Sequence, residues 1–130
     1  RVTICLDLTA RDVQQELKAK GLPWEKAKAF DGSAYVAGSF TAVESFPAGH
    51  RIEFMLKKNG QVVQSGHSAQ MIFDVPTLIA SVERYMRLET GDLLFTGTPA
   101  GVGPLKAGDS LEGYMLGELL FEIQVEGPTP

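Results

Sequence analysis

The residues whose types could do chemistry lie close to the start of the chain. In Leu6-Asp7-Leu8-Thr9-Ala10-Arg11-Asp12-Val13-Gln14, an acid ends an apolar alternating run and a Thr-x-x-Asp helix start follows at once. That order gathers Asp7, Arg11 and Gln14 at the mouth of a strand-to-helix turn. A carboxylate there can bind a hard cation, because Mg²⁺ commonly uses one or two protein carboxylates together with substrate oxygens. Arg11 and Gln14, three apart, share a helix face. The guanidinium could clamp a carboxylate bidentately while the amide bonds a carbonyl. Taken singly, Asp7 reads better as a carboxylate satisfied by backbone amides, and Arg11 and Gln14 as a solvated face. The constellation is stronger than its parts.

Two further segments offer chemistry. Lys28 lies in Lys26-Ala27-Lys28-Ala29-Phe30, flanked by apolar residues. A lysine held there could neutralise an enolate or carboxylate, or hand over a proton, although a surface lysine is the default. The loop Thr96-Gly97-Thr98-Pro99-Ala100-Gly101-Val102-Gly103 is glycine-rich, so its backbone amides could approach a ligand, and the Thr98 hydroxyl both donates and accepts. It lacks the Gly-Lys-Ser/Thr ending of a phosphate loop. A turn-rich connector is an equally good reading. His50 and His67 lack partners at ligand spacing and are assigned to structure or surface. Ser68 has no Gly-x-Ser-x-Gly elbow. Cys5 is expected to be a buried, inert thiol, and Trp24 and the phenylalanines are expected in the core.

The elements that must position these groups follow from period and punctuation. Val2, Ile4, Leu6 and Leu8 alternate with Thr3, Cys5 and Asp7, as in a strand. Thr9 is the expected N-cap of a helix running to about Lys20, with Gly21 after its end and Pro23 blocking continuation. Residues from Trp24 to Ala48 are read as irregular, with short strand candidates at Ala34–Val36 and Ser39–Thr41. Ile52–Lys58 and Gln61–Ser68 flank Asn59-Gly60, a strong hairpin signal. A helix is expected over Val75–Met86, with Pro76 in its first turn. Leu93–Phe95 reads as a short buried strand, and Ser110–Leu116 with Leu119–Val125 as a second hairpin across Gly117-Glu118. The pattern predicts a mixed, β-rich α+β fold, a roll or sandwich with small helices.

Composition narrows the class. The chain has 130 residues, is 44% hydrophobic and 22% charged, and carries a net charge of -4. That suits one globular core and argues against a basic nucleic-acid footprint. No apolar run reaches the roughly 18 residues of a membrane span. A single cysteine excludes an internal disulfide. The first residue is Arg1, and strand pattern begins immediately, so the chain is expected to be the C-terminal part of a longer domain. The expected compartment is cytoplasmic, or mitochondrial if a transit peptide precedes it.

In order along the chain, Leu6–Gln14, Lys20-Gly21-Leu22-Pro23-Trp24, Ala27-Lys28-Ala29-Phe30-Asp31, Asn59-Gly60, Met71-Ile72-Phe73 and Gly91–Pro104 resemble the fumarylacetoacetate hydrolase family. The similarity is greatest to its acylpyruvate hydrolase and oxaloacetate decarboxylase-like branch. The resemblance implies a β-sandwich roll, with residues 1–130 forming the C-terminal portion of one catalytic domain. It also implies Mg²⁺ or Mn²⁺ held by three carboxylates, of which Asp7 matches the last. The other two, and the His and Glu that activate water in this branch, come from upstream segments. By the same resemblance, Lys28 is the catalytic lysine, while Arg11, Gln14 and Thr98 bind substrate. Gly32-Ser33-Ala34-Tyr35 departs from the Ser-Cys-Pro common in the family, leaving that side of the pocket and the substrate open. Ser68 stands where threonine is common.

The implied activity is metal-dependent cleavage of a C–C bond in small 2-oxo acids, by acylpyruvate hydrolysis or oxaloacetate decarboxylation through a stabilised enolate. One alternative is an isomerase or decarboxylase of 2-hydroxy-dienedioates. Another is that the chain in isolation is noncatalytic. The expected partners are a small 2-oxo acid and a second copy in a homodimer, with no nucleic acid and no membrane.

Overall fold

The Asn59-Gly60 turn organises the larger of two sheets in the computed structural model, which describes residues 1–47 and 49–127. Ala48, the last residue of the stretch read as irregular, lies outside the described residues. The strands are β1 (Cys5–Asp7), β2 (Ala34–Val36), β3 (Glu53–Lys58), β4 (Gln61–His67), β5 (Ser110–Met115) and β6 (Glu118–Gln124). The helices are α1 (Arg11–Ala19), α2 (Glu25–Lys28) and α3 (Val75–Val82), with single 3₁₀ turns at Val43–Ser45 and Ser68–Gln70. One sheet pairs β1 with β2, and the other runs β4-β3-β5-β6, antiparallel throughout.

Both hairpins use two consecutive left-handed residues, the backbone that matches strand twist. Asn59 (φ 51) and Gly60 (φ 76) join β3 to β4, as the sequence predicts. The second turn sits one residue earlier than expected, at Leu116 (φ 54) and Gly117 (φ 83), and Glu118 already pairs with Met115. Asn59 does more than turn the chain. Its Nδ2 donates to Asp109 Oδ1 at 2.8 Å, and its Oδ1 accepts from Ser110 N at 2.8 Å, which ties the first hairpin to the start of β5.

The two sheets meet over a small core. Leu6 and Ala37, from β1 and just beyond β2, cluster with Leu111 and Phe121 of the larger sheet. Tyr35 meets Phe121 edge-on at 5.0 Å between ring centroids. Gly113 is required there. A Cβ on it would stand 2.2 Å from Phe121 Cε1, so the ring lies directly across the glycine.

Several expectations are corrected. The first strand is Cys5–Asp7 rather than Val2–Leu8, although Ala37 N–Ile4 O and Leu8 N–Ser33 O bonds continue the pairing at either end. In the Ser39–Thr41 candidate only Thr41 pairs, as an isolated bridge to Val2. The N-cap of α1 is Ala10, with no side-chain cap, because the Thr9 hydroxyl is engaged by Lys28 instead. Helix α3 stops at Val82 rather than Met86. Tyr85 and Met86 are 86% and 62% exposed, and a short helix without a packed face frays into turns. Its N-cap is Asp74, which accepts from Thr77 N at 2.9 Å; that bond holds the Asp74 carboxyl below the usual carboxylate range.

Leu93–Phe95 forms no strand and is not buried: its residues have no ladder partner among the described residues and are 38–51% exposed. Trp24, Phe30, Phe40, Phe73 and Phe95 are likewise exposed rather than core.

Candidate active site

Asp7 ends β1, and Lys28 ends α2. The turn after β1 carries the chain through Thr9 into α1, while Ala10 N donates to Ala27 O at 3.0 Å and so brings α2 against that turn. Ala27 is fully buried beneath it. The consequence is that Lys28 Nζ reaches Asp7 Oδ1 at 2.6 Å and Thr9 Oγ1 at 3.0 Å. Both charged side chains keep access to solvent, Lys28 at 35% and Asp7 at 49%.

Arg11, the first residue of α1, donates from Nη1 to Gln14 Oε1 at 2.8 Å. The i, i+3 pair expected on a helix face is therefore a real contact. It also means that the Gln14 carbonyl oxygen already has a donor, leaving its amide nitrogen for other partners.

The glycine-rich loop is fastened to β3 and β4 and lines the same cleft as these groups. Gln64 of β4 donates from Nε2 to Thr98 Oγ1 at 2.9 Å and to Pro99 O at 3.0 Å. Gly101 (φ +101) passes so close to β4 that a Cβ would lie 2.0 Å from Val63 O. Lys58 Nζ holds the far end of the loop through Pro104 O at 3.1 Å. The cleft is open, has a volume of about 950 Å³, and is lined among others by Asp7, Thr9, Arg11, Lys28, Gln64 and Thr98.

Four of the five site residues singled out from the sequence thus line one cleft, and Gln14 stands behind Arg11 rather than on the wall. Thr9 and Gln64 are polar cleft residues that sequence reasoning missed. Thr9 was legible as a neighbour of Asp7 but looked like a cap. Gln64 is 34 residues from Thr98, and no local spacing announces that bond. Cys5 lines the cleft and is half-buried rather than buried as expected, and its partial burial pushes the thiol up from its ordinary value. His50 stacks on Phe46 at 5.5 Å, outside the cleft lining. Ser68 Oγ accepts from Ile52 N at 3.0 Å, a structural role.

A divalent metal can be tested against this donor set. Among the described residues, no three His, Cys, Asp or Glu side chains come together as a metal shell. Asp7 is the carboxylate that enters the cleft beside Lys28, Thr9 and Arg11. Asp7 fits as one oxygen ligand of a hard cation, although its Oδ1 is paired with Lys28 Nζ at 2.6 Å, and the described residues supply no further carboxylate to the cleft.

The cleft thus brings together an ammonium, a guanidinium, a carboxylate and two hydroxyls, from Lys28, Arg11, Asp7, Thr9 and Thr98. The chain belongs to the fumarylacetoacetate hydrolase family, whose C-terminal region matches residues 1–124. It is 46% identical over 125 residues to the mitochondrial oxaloacetate tautomerase FAHD1 of Bos taurus, covering 96% of this chain and 56% of that protein. The crystal structure of fumarylpyruvate hydrolase from Pseudomonas aeruginosa in complex with Mn²⁺ and pyruvate superposes with a TM-score of 0.79 at 34% identity, covering 95% of this chain and 53% of the other. A 5-carboxymethyl-2-hydroxymuconate delta-isomerase from Mycobacterium smegmatis gives a TM-score of 0.80 at 30% identity, over 95% and 47%. The fold is that of the fumarylacetoacetate hydrolase family, and the chain spans about half the length of these relatives. No described helix is long and apolar enough to cross a membrane.

Proposed function

We propose that the protein containing this chain is a divalent-metal-dependent enzyme that forms and stabilises the enolate of a small 2-oxo acid. The observation that carries this reading is Lys28, set between Asp7 and Thr9 in the cleft that Thr98 also lines. A 2-oxo acid presents a carboxylate and a keto oxygen. Arg11 suits the carboxylate, as a planar donor fork. The Lys28 ammonium places positive charge where an enolate oxygen develops, and it carries a proton that it can give or recover. Thr98 adds a hydroxyl donor. A bound Mg²⁺ or Mn²⁺, with Asp7 among its ligands, would supply Lewis-acid polarisation of the same oxygens.

Two reactions share that intermediate. Keto–enol interconversion of oxaloacetate requires only the enolate and a proton carrier, and the relative at 46% identity bears the name of that activity. Cleavage of a C–C bond in an acylpyruvate also needs an activated water, and it is supported by the fumarylpyruvate hydrolase at 34% identity. We place tautomerisation first and cleavage or decarboxylation second. Isomerisation of a 2-hydroxy-dienedioate is a third reading, which the muconate isomerase likeness supports. Homodimerisation belongs to the same proposal and is checked by light scattering. A mitochondrial location is supported by the relative's name, and fractionation would test it.

The experiment is a side-by-side assay of the complete protein with oxaloacetate enol, oxaloacetate, acylpyruvates and 2-hydroxy-dienedioates, with and without Mg²⁺ or Mn²⁺. Metal-dependent turnover of a 2-oxo acid is expected. Equal rates with metal and with a chelator, or no turnover of any of these, would refute the proposal.

A further inference from the structure

Gln64 determines which way the Thr98 hydroxyl can point. Its Nε2 stands 3.0 Å from Pro99 O and 2.9 Å from Thr98 Oγ1. A carbonyl oxygen has no hydrogen to give, so the atom of Gln64 facing Pro99 must be the amide nitrogen, which fixes the orientation of the amide. An amide nitrogen donates and does not accept. Thr98 Oγ1 is therefore the acceptor in its bond with Gln64, and the Thr98 O–H hydrogen must rotate away from it. Thr98 is exposed and lines the same cleft as Lys28 and Asp7.

We propose that Gln64 is a positioning residue that aims the Thr98 O–H into the cleft as a hydrogen-bond donor to the substrate. The inference rests on the reading of Thr98 as substrate-facing. The surrounding contacts keep the geometry in place. Val63 O occupies the space a Gly101 side chain would need, and a Cβ on Gly66 would stand 3.1 Å from Pro99 Cβ. Strand β4 thereby holds the loop on either side of the Gln64 amide. A donor already turned toward the reacting oxygen needs no reorientation as negative charge develops there. Gln64 acts through Thr98 and has no part in the chemistry itself.

The competing role is simple fastening, in which Gln64 only tethers the loop through Pro99 O. The two are separated by changing bond polarity at nearly constant size, in the complete protein with Mg²⁺ and oxaloacetate enol or an acylpyruvate, whichever it turns over. Gln64→Glu places an acceptor where the donor was, and at neutral pH it draws the Thr98 hydrogen inward, away from the cleft. The expected result is a loss on the order of 100-fold, in kcat rather than KM and similar to that of Thr98→Val. In the Thr98→Val background, Gln64→Glu should cost nothing further. Gln64→Met, which neither donates nor accepts there, should lose less than Gln64→Glu and show the same non-additivity, so it serves if Gln64→Glu does not fold.

Losses that multiply in the double variant would overturn the positioning role, and so would equal losses from Gln64→Glu and Gln64→Met. Normal turnover by Thr98→Val would instead remove Thr98 from the substrate site, a failure of the underlying reading that is distinguishable from the first.

Discussion

Lys28 Nζ and Asp7 Oδ1 stand 2.6 Å apart, although 21 residues separate them in the chain. The contact exists because a single backbone bond, Ala10 N to Ala27 O, lays α2 across the turn that follows β1. A pair this accessible contributes little to stability: exposed ion pairs are worth about 0–1 kcal/mol, and both members here keep a third or more of their side-chain surface. Its value lies in holding a cation and a carboxylate at one end of a cleft.

Removing either member should therefore separate function from folding. In the complete protein, Lys28→Met should lower kcat by on the order of 100-fold or more, since one preorganised donor at a developing oxyanion has that weight. Asp7→Ala should abolish metal-dependent turnover. Unfolding free energies of both variants from denaturant titration should stay within about 1 kcal/mol of the parent. Near-normal turnover by Asp7→Ala would remove Asp7 from the metal shell.

Gly101 offers a test of the loop's seat. Alanine there must overcome both the left-handed backbone (φ +101) and a 2.0 Å approach to Val63 O. The loop should lift from β4 and carry Thr98 with it. Misplacement by about 1 Å can cost on the order of 100-fold, so Gly101→Ala should lose kcat/KM far more than melting temperature. Steady-state kinetics and a thermal melt of the same preparation would measure both. Unchanged kcat/KM would mean that the loop does not position the site.

Acid sensitivity has a named source in Asp109. The Asn59 amide donates to it at 2.8 Å and Lys106 N at 2.9 Å, and these bonds, with Lys58 nearby, hold its carboxyl below the usual carboxylate range. A depressed native value means that the folded state binds this proton less readily than the unfolded chain. The stabilisation is fully present above the ordinary aspartate value of about 3.9, and it disappears as pH falls through the lower native value. Melting temperatures of the parent and of Asp109→Asn should differ most near neutral pH and converge in acid. A gap that widens on acidification would contradict this sign.

How much of this was legible beforehand follows from the range of the interactions. Asn59-Gly60 reads directly as a turn because two left-handed residues in succession are a local demand, satisfied by residue type alone. The same holds for the alternation that buries Leu6 and for the pairing of Arg11 with Gln14 across one helical turn. The second hairpin was legible as a hairpin, but its turn was misplaced by one residue, since Leu116 gives no sign of the left-handed backbone it adopts. Thr9 looked like an N-cap by type. A lysine from α2 reaches its hydroxyl instead, and that competitor is invisible in local sequence.

By itself the sequence determined the β-rich class and the first hairpin's turn, which rest on residue type and short spacing, while the family, and with it Asp7, Arg11, Lys28 and Thr98 as candidates, came from the resemblance of its ordered motifs. Only the tertiary structure decided that Lys28 pairs with Asp7, that Gln64 orients Thr98, and that Trp24 and Phe95 lie exposed. Burial and hydrogen bonding depend on which distant segments the folded backbone brings within a few ångströms, and hydrophobicity along the chain carries no record of that.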